Sequence, residues 1–211
     1  MFIKLLINKK AFGDKVIFDD TSIEINKGDF VVIYGESGIG KSTLLKMIGL
    51  LGSFDGEYYL NDTLVNKKDR EKIRIANFSY LFQNPFLIPY LDVYDNIVLP
   101  LKNLKQPIKN ETVAHIAKRL KIEDLLDKKV NNLSGGESSR VSIARSLMAD
   151  RDVLIVDEPT GNLDSENALS VMQILAEENK KGKTIIMVSH SKEFENYFNK
   201  VIRIENKKIV C

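Results

Sequence analysis

One nine-residue segment constrains this chain more than any other. Gly35-Glu36-Ser37-Gly38-Ile39-Gly40-Lys41-Ser42-Thr43 lies between an apolar run, residues 30–34 (FVVIY), and a helical stretch, residues 42–50. It fits the pattern G-x-x-x-x-G-K-[ST] in its required strand-before, helix-after setting. Glycines let the backbone turn so that successive N–H groups point inward at phosphate oxygens. The helix that follows adds the positive end of its dipole. Lys41 is then placed to reach the β- and γ-phosphates of a nucleotide, and the Ser42 hydroxyl to bind Mg²⁺.

A loop of this kind needs a parallel sheet, and the rest of the chain supplies the pattern of one. Residues 153–156 (VLIV) and 184–189 (TIIMVS), like 30–34, are short, rich in β-branched residues and without helical periodicity. Such runs predict strands buried on both faces. Residues 2–7 and 16–25 predict a smaller antiparallel layer. Helical stripes alternate with the strands: Val113, Ile116, Ala117 and Leu120; Val141, Ala144, Leu147 and Met148; Ala168, Val171, Met172, Leu175 and Ala176, the last with Asp164 or Ser165 as its cap. The alternation predicts an α/β domain with right-handed crossovers. Four of the five prolines, Pro85, Pro89, Pro100 and Pro107, fall close together and are read as interrupting regular structure. The expected organisation is one domain, 1–211, with an α/β core (1–83 and 151–211) and an inserted helical lobe (84–150).

Composition removes several classes of function. Hydrophobic residues at 44% and charged residues at 28% are those of a globular chain, not a disordered one. Lys and Arg (31) nearly balance Asp and Glu (29), so there is no basic field to attract nucleic acid. No run approaches the roughly 18 apolar residues of a membrane helix, and the apolar start of the chain is too short for a signal peptide. The single cysteine, Cys211, cannot form an internal disulfide, which favours a reducing compartment. Its tail KKIVC lacks prenylation spacing, so it reads as an exposed strand-end residue. No His or Cys pair has metal-site spacing. His115 lies off its apolar stripe and reads as a surface histidine. Lys67, Lys68, Arg70, Lys72 and Arg74 are interleaved with Asp69 and Glu71, which reads as a mixed-sign surface.

The run 153–156 ends in Asp157 and Glu158. Asp157 therefore stands at the carboxyl end of a buried strand, where parallel sheets place ligand chemistry. It is suited to hold the Mg²⁺ shell, and Glu158 to polarise a water for attack on the γ-phosphate as general base.

Three further motifs complete a set. Leu133-Ser134-Gly135-Gly136-Glu137 opens the helix that carries Arg140 and Arg145. Gln83 sits in Tyr80-Leu81-Phe82-Gln83-Asn84-Pro85, where an apolar strand gives way to the proline-rich region. His190 ends the run TIIMVS. The order of cradle, glutamine, LSGGE, VDEPTGNLD and histidine resembles the full motif set of ABC ATPases over essentially the whole chain. The resemblance implies a P-loop NTPase (RecA-like) core with a parallel sheet, a small antiparallel β layer and an inserted helical lobe. It implies ATP and Mg²⁺ as ligands and ATP hydrolysis as the activity. Lys41, Gln83, Glu158 and His190 would be the catalytic set: Gln83 sensing Mg²⁺ and coupling to a membrane partner, His190 contacting the γ-phosphate. Ser134, Gly135 and Gly136 would close on the γ-phosphate of a nucleotide held by the opposite subunit. Asp164, in Gly161-Asn162-Leu163-Asp164, would be the D-loop aspartate, and Phe12 would stack on adenine, where Tyr is usual. Glu137 in place of the commoner Gln, Ser138 and Ser139 after it, and Ile39 in the cradle depart from the family pattern without removing a catalytic group.

The run FQNPFLIPYLDVYDNIVLPL and the phrase DEPTGNLD resemble a branch of lipoprotein-release, macrolide-export, cell-division and bacteriocin-export ATPases. This implies a homodimer formed on ATP binding, cytoplasmic and held to the inner face of the cell membrane by a separate transmembrane permease subunit. It would export a peptide, lipoprotein or drug-like substrate. The alternative is an ATPase that signals through its membrane partner to cell-wall enzymes without transport. A DNA-repair or translation ABC protein is disfavoured, because the chain has neither a coiled-coil insertion nor a second ATPase domain.

Overall fold

The computed structural model describes residues 1–161 and 163–210. Asn162 and Cys211, both read above, lie outside the described residues. The centre is a six-stranded sheet built from β3 (Phe30–Tyr34), β6 (Phe78–Leu81), β7 (Val153–Asp157), β8 (Thr184–Val188), β9 (Lys200–Glu205) and β10 (Lys208–Val210). Its order is β10-β9-β3-β8-β7-β6, parallel from β9 to β6 with β10 antiparallel at the edge. Every residue of β3 is buried, as expected of a strand covered on both faces.

Alternate residues of these strands feed two separate cores. Phe30, Val32, Leu154, Val156, Ile185 and Met187 face one side. Val31, Ile33, Val153, Ile155, Ile186 and Val188 face the other. The second core is closed by α1 (Lys41–Ile48) and by a four-stranded antiparallel sheet. That sheet comprises β1 (Ile3–Phe12), β2 (Lys15–Ile25), β4 (Asp55–Leu60) and β5 (Thr63–Leu64) in the order β2-β1-β4-β5. The first core is covered by α3 (Val93–Asn103), α4 (Asn110–Arg119), α5 (Gly135–Met148) and α6 (Ser165–Lys180).

Several elements extend or correct the sequence reading. β1 runs beyond residue 7 to Phe12, because its second half pairs with β2 across the Gly13 turn. β4 and β5 form a hairpin on Asn61 and Asp62, both left-handed at φ 49° and 59°. Asn and Asp tolerate that conformation, and this was the legible signal for the hairpin. The mixed-sign stretch at 67–74 includes most of a helix, α2 (Arg70–Asn77), none of whose residues is buried. Pro100 is not a breaker: it lies inside α3. The missing N–H leaves the Asn96 carbonyl without its helical donor, yet Val93, Ile97, Val98 and Leu101 bury one face of the helix and hold it. α3 is further fixed at its start, where the Asn96 side chain exchanges hydrogen bonds with both the N–H (2.8 Å) and the carbonyl (3.2 Å) of Ile88. Of the two caps offered for α6, Asp164 is the one used: its carboxylate accepts from the Asn167 N–H at 2.9 Å. His115 is exposed, as read.

Between β6 and β7 the chain runs through α3, α4, α5 and two short 3₁₀ turns, with no named strand. α4 is tied to α6 by Arg119, whose guanidinium donates to Glu178 at 2.9 Å and Glu177 at 2.7 Å. Lys181 donates to the same Glu178 oxygen at 2.8 Å. Burial penalises the charge of Glu178, but Lys181 and Arg119 outweigh it and hold the carboxyl below its ordinary value. A depressed carboxyl stabilises the fold above its unfolded pKa and loses that contribution as pH falls through the folded one. Glu178→Gln is therefore expected to destabilise the protein by about 1–3 kcal/mol at neutral pH, the range for hydrogen bonds to charged groups. The difference from wild type, measured by chemical denaturation, should shrink as pH falls below about 4.

Candidate functional site

The loop between β3 and α1 is shaped by three glycines with positive φ: Gly35, Gly38 and Gly40. Gly40 is the most constrained. Its φ is 118°, and a Cβ there would lie 2.6 Å from Ile17 on β2. It precedes α1 with no side-chain cap, so no side chain claims the first amides of the helix. Glu36, Ser37 and Gly38 are exposed; Ile39, Ser42 and Thr43 are half-buried. Lys41 is 5% exposed, and its ammonium donates to the carbonyls of Gly35 and Glu36, both at 2.8 Å. The aliphatic stem is packed while the charged head bends back over the loop.

The far end of α1 is held by two groups the sequence reading missed. The Tyr58 hydroxyl donates to the Ile48 carbonyl at 2.7 Å, and the Tyr80 hydroxyl donates to the Gly49 carbonyl. Burial pushes both phenols up, so they remain donors. The signal was present: a helix of eight residues leaves carbonyls that need partners, and tyrosine is the large apolar residue that carries a hydroxyl.

The register of the parallel strands assembles the remaining groups. Leu81 lies opposite Val156, and Asp157 opposite Val188. The residues that follow the three strands, Gln83, Glu158 and His190, therefore emerge side by side. Glu158 takes a left-handed backbone, φ 47°, and its N–H donates to the Val188 carbonyl at 3.1 Å. Its carboxylate accepts from Gln83 Nε2 at 3.1 Å on one oxygen and pairs with His190 Nε2 at 2.8 Å on the other. Ser42 Oγ donates to Asp157 Oδ1 at 3.5 Å. Burial, and then the neighbouring Glu158 charge, push the Asp157 carboxyl up. A carboxylate so placed is short of positive charge, and the hydroxyl and carboxylate oxygens are the donors that Mg²⁺ prefers. The site therefore fits a Mg²⁺ that keeps waters and phosphate oxygens as its other ligands. No cluster of three or more metal-ligating side chains occurs among the described residues. A cleft of about 610 Å³ opens beside this group, lined by Tyr34, Gly35, Glu36, Ile39 and His190.

Two of the sequence-predicted sets stand apart. Ser134 caps α5 in a reciprocal box: its hydroxyl accepts from the Glu137 N–H at 3.2 Å, and the Glu137 carboxylate accepts from the Ser134 N–H at 2.7 Å. Glu137 thus has a local structural task. Gly135 and Gly136 form the first turn of α5. Among the described residues no hydrogen bond joins Ser134, Gly135 or Gly136 to Lys41, Asp157, Glu158 or His190. Asp164 lies beside this helix start: Arg140 of α5 donates at 3.1 Å to Asn167, the residue that Asp164 caps. Phe12 is on the antiparallel sheet at the end of β1, 58% exposed, with the Lys10 ammonium 4.4 Å from its ring centroid.

A glycine-rich loop opening a helix, with an acidic pair at the end of another strand of the same parallel sheet, two places along, defines a P-loop nucleotide hydrolase. Comparison with known proteins places it more closely: the family profile described as "ABC transporter" matches residues 18–161, and the chain belongs to that family. ATP binding and hydrolysis are the characteristic activity of its cassettes. The chain is 36% identical to the lipoprotein-releasing system ATP-binding protein LolD of Aquifex aeolicus, covering 96% of this chain and 93% of that protein. It is 34% identical to the macrolide export ATP-binding/permease protein MacB of Campylobacter jejuni, covering 95% of this chain but only 32% of that protein. It thus spans about a third of the length of MacB. Among solved structures it resembles a dimeric ATP-binding cassette in a post-hydrolysis state with ADP and Pi bound, with a TM-score of 0.87 at 29% identity, covering 99% of this chain and 97% of that one. These relatives agree with the lipoprotein-release and macrolide-export branch.

The exposure of Phe12 yields a test of its stacking. Phe12→Ala is expected to weaken ATP affinity by about 1–3 kcal/mol, the range for a base on an aromatic ring. Affinity for pyrophosphate, measured by the same calorimetry, should stay unchanged. A parallel loss of both would give Phe12 a structural role instead.

Proposed function

We propose that this chain is the ATP-hydrolysing motor of an exporter whose membrane-spanning part is a separate chain, with Glu158 as general base. The observation that carries the reading is the Glu158 carboxylate itself, held between Gln83 and His190 one residue beyond Asp157. A base must be aimed before it can act, and these two contacts aim it. The exposed amides of the loop and the start of α1 bind the β- and γ-phosphates. Lys41 exchanges the Gly35 and Glu36 carbonyls for phosphate oxygens. Glu158 accepts a proton from the attacking water while Gln83 and His190 restrain its carboxylate. Ser42, Asp157 and Gln83 would hold Mg²⁺, which when bound supplies charge neutralisation on the phosphates.

Residues 84–150 act in this reading as a lobe that presents Ser134, Gly135 and Gly136 to the nucleotide of a second subunit, alongside Asp164. The separation of Ser134 from the catalytic group within one chain supports it, as does the dimeric cassette to which the fold is similar. A two-fold dimer then gives two equal sites, each sealed by the partner. No helix among the described residues is long and apolar enough to cross a membrane. The names of the relatives, an ATP-binding protein of a lipoprotein-releasing system and an ATP-binding/permease protein, support a position at the inner face of the cell membrane, reached through a permease. The same names support export of a lipoprotein or a drug-like molecule.

Glu158→Gln is expected to bind ATP and to lower kcat by about 10²–10⁴, the usual loss for a general base. The variant should accumulate as an ATP-bound dimer by gel filtration; near-normal turnover would remove Glu158 from this role. A mixing experiment tests the shared site. Lys41→Ala and Ser134→Arg subunits are each expected to be inactive. In a mixed dimer one site carries both lesions and the other neither, so ATPase activity should return. Mixed dimers that form but stay inactive would oppose shared sites that work independently, and mixtures with wild-type subunits would show whether both sites must be intact.

A further inference from the structure

Arg145 is a half-buried cation that the reaction as described does not use. It projects from α5, ten residues beyond the helix start at Gly135. Its Nη1 donates to the Phe86 carbonyl at 2.9 Å and its Nη2 to the Pro85 carbonyl at 2.5 Å. Ser142, one turn earlier on α5, donates to the same Pro85 carbonyl at 3.3 Å. Burial is what pushes the Arg145 guanidinium below its ordinary pKa, and no recorded ion pair among the described residues involves it. Desolvating a guanidinium against neutral carbonyls alone costs stability, so the contact needs another justification.

The two gripped carbonyls supply one. They flank the φ torsion of Phe86, which is left-handed at 44°. For an aromatic residue this backbone is strained and persists only where the surroundings enforce it. A planar fork with two parallel donors needs both carbonyls turned the same way, and it holds them so on either side of the left-handed Phe86. Asn84 adds a local tie, accepting from the Phe86 N–H at 3.3 Å. The Phe86 ring meets Phe82 edge to face at 5.7 Å, and Phe82 stacks on Tyr80 at 5.8 Å. Tyr80 is the residue whose hydroxyl holds the C-terminal end of α1. Gln83 thus lies in a segment gripped at one end by the phosphate-binding helix and at the other by α5.

We infer that Arg145 is a positioning residue: its fork on Pro85 and Phe86 locks the strained turn after Gln83 to α5, so that Gln83 and the Ser134–Gly136 helix start move as one body. Along a rigid helix the ten-residue separation is about 15 Å, so a small tilt of the turn becomes a displacement at Ser134–Gly136. The inference rests on the shared-site reading above and deepens it.

The test uses Arg145→Lys, which keeps the charge but cannot grip two carbonyls, and Ser142→Ala, a milder variant that removes one bond to Pro85. Arg145→Lys is expected to fold with a nearly unchanged melting temperature and to bind ATP as the isolated subunit within about twofold of wild type. Its kcat should fall about ten- to hundredfold with little change in KM, the scale of a misplaced catalytic group. In the Glu158→Gln background it should weaken ATP-driven dimerisation by a similar factor. Ser142→Ala should shift both readouts in the same direction by a smaller factor. Unchanged kcat and dimerisation in a folded Arg145→Lys variant would overturn the proposal. So would a joint fall of melting temperature, ATP affinity and kcat in Arg145→Lys with Ser142→Ala unaffected, which would make Arg145 general structural support. If Glu158→Gln alone forms no ATP-bound dimer, the shared-site reading has failed first, and the two failures are told apart.

Discussion

The register of three parallel strands is the constraint on which the site depends. Leu81, Val156 and Met187 lie in one row across β6, β7 and β8. Their side chains interlock in one core, and a slip by one residue would carry every one of them into the differently shaped core on the opposite face. The row is therefore fixed by burial, and the polar residues beyond its carboxyl edge are fixed with it. Gln83, Glu158 and His190 are far apart in sequence and share no element. They touch because the core beneath them cannot shift. The left-handed backbone at Glu158 is tolerated for the same reason: its N–H is bound to the Val188 carbonyl, one strand over.

The helix α1, which binds phosphate in the proposed function, shows a second use of the same principle. α1 has only eight residues, too few to be stable as an isolated helix. Leu44, Leu45, Met47 and Ile48 bury it against the second core. At its start glycines leave the amides unclaimed by side chains, while at its end Tyr58 and Tyr80 satisfy the carbonyls. One end is kept open for a ligand and the other is closed by the protein. The asymmetry lets a short helix keep its anion-binding end without fraying from the opposite one.

Much of this was legible in the residues. The cradle and the acidic pair could be read because each is a short pattern whose chemistry depends on local spacing, whereas Gln83, Ser134 and His190 were singled out by the resemblance to ABC ATPases, through the order of the motifs. The buried strands could be read because strands covered on both faces are uniformly apolar. What escaped reading was non-local or two-sided. Pro100 looked like a breaker because the penalty of a helical proline is local, whereas the burial of Val93, Ile97, Val98 and Leu101 that offsets it is tertiary. The β4–β5 hairpin was overlooked because Asp55 and Glu57 make β4 polar and β5 has only two residues, although Asn61 and Asp62 marked its turn. The helix α2 sets only the half-buried Ile73 against the second core, so its sequence carries too short an apolar stripe to read.

By itself the sequence determined which atoms could meet a nucleotide: a lysine after a glycine turn, a hydroxyl beside it, two carboxylates at a strand end. Those follow from backbone geometry within a few residues, where sequence distance and spatial distance agree. Only the tertiary structure decided that Glu158 is gripped by Gln83 and His190 from the two neighbouring strands, that two tyrosines close the far end of α1, and that Arg145 spans the strained turn at Phe86. Each of these joins residues brought together by sheet register or helix packing, and no local rule of the chain specifies such a meeting. It is the burial of two hydrophobic cores on opposite faces of one sheet that does so.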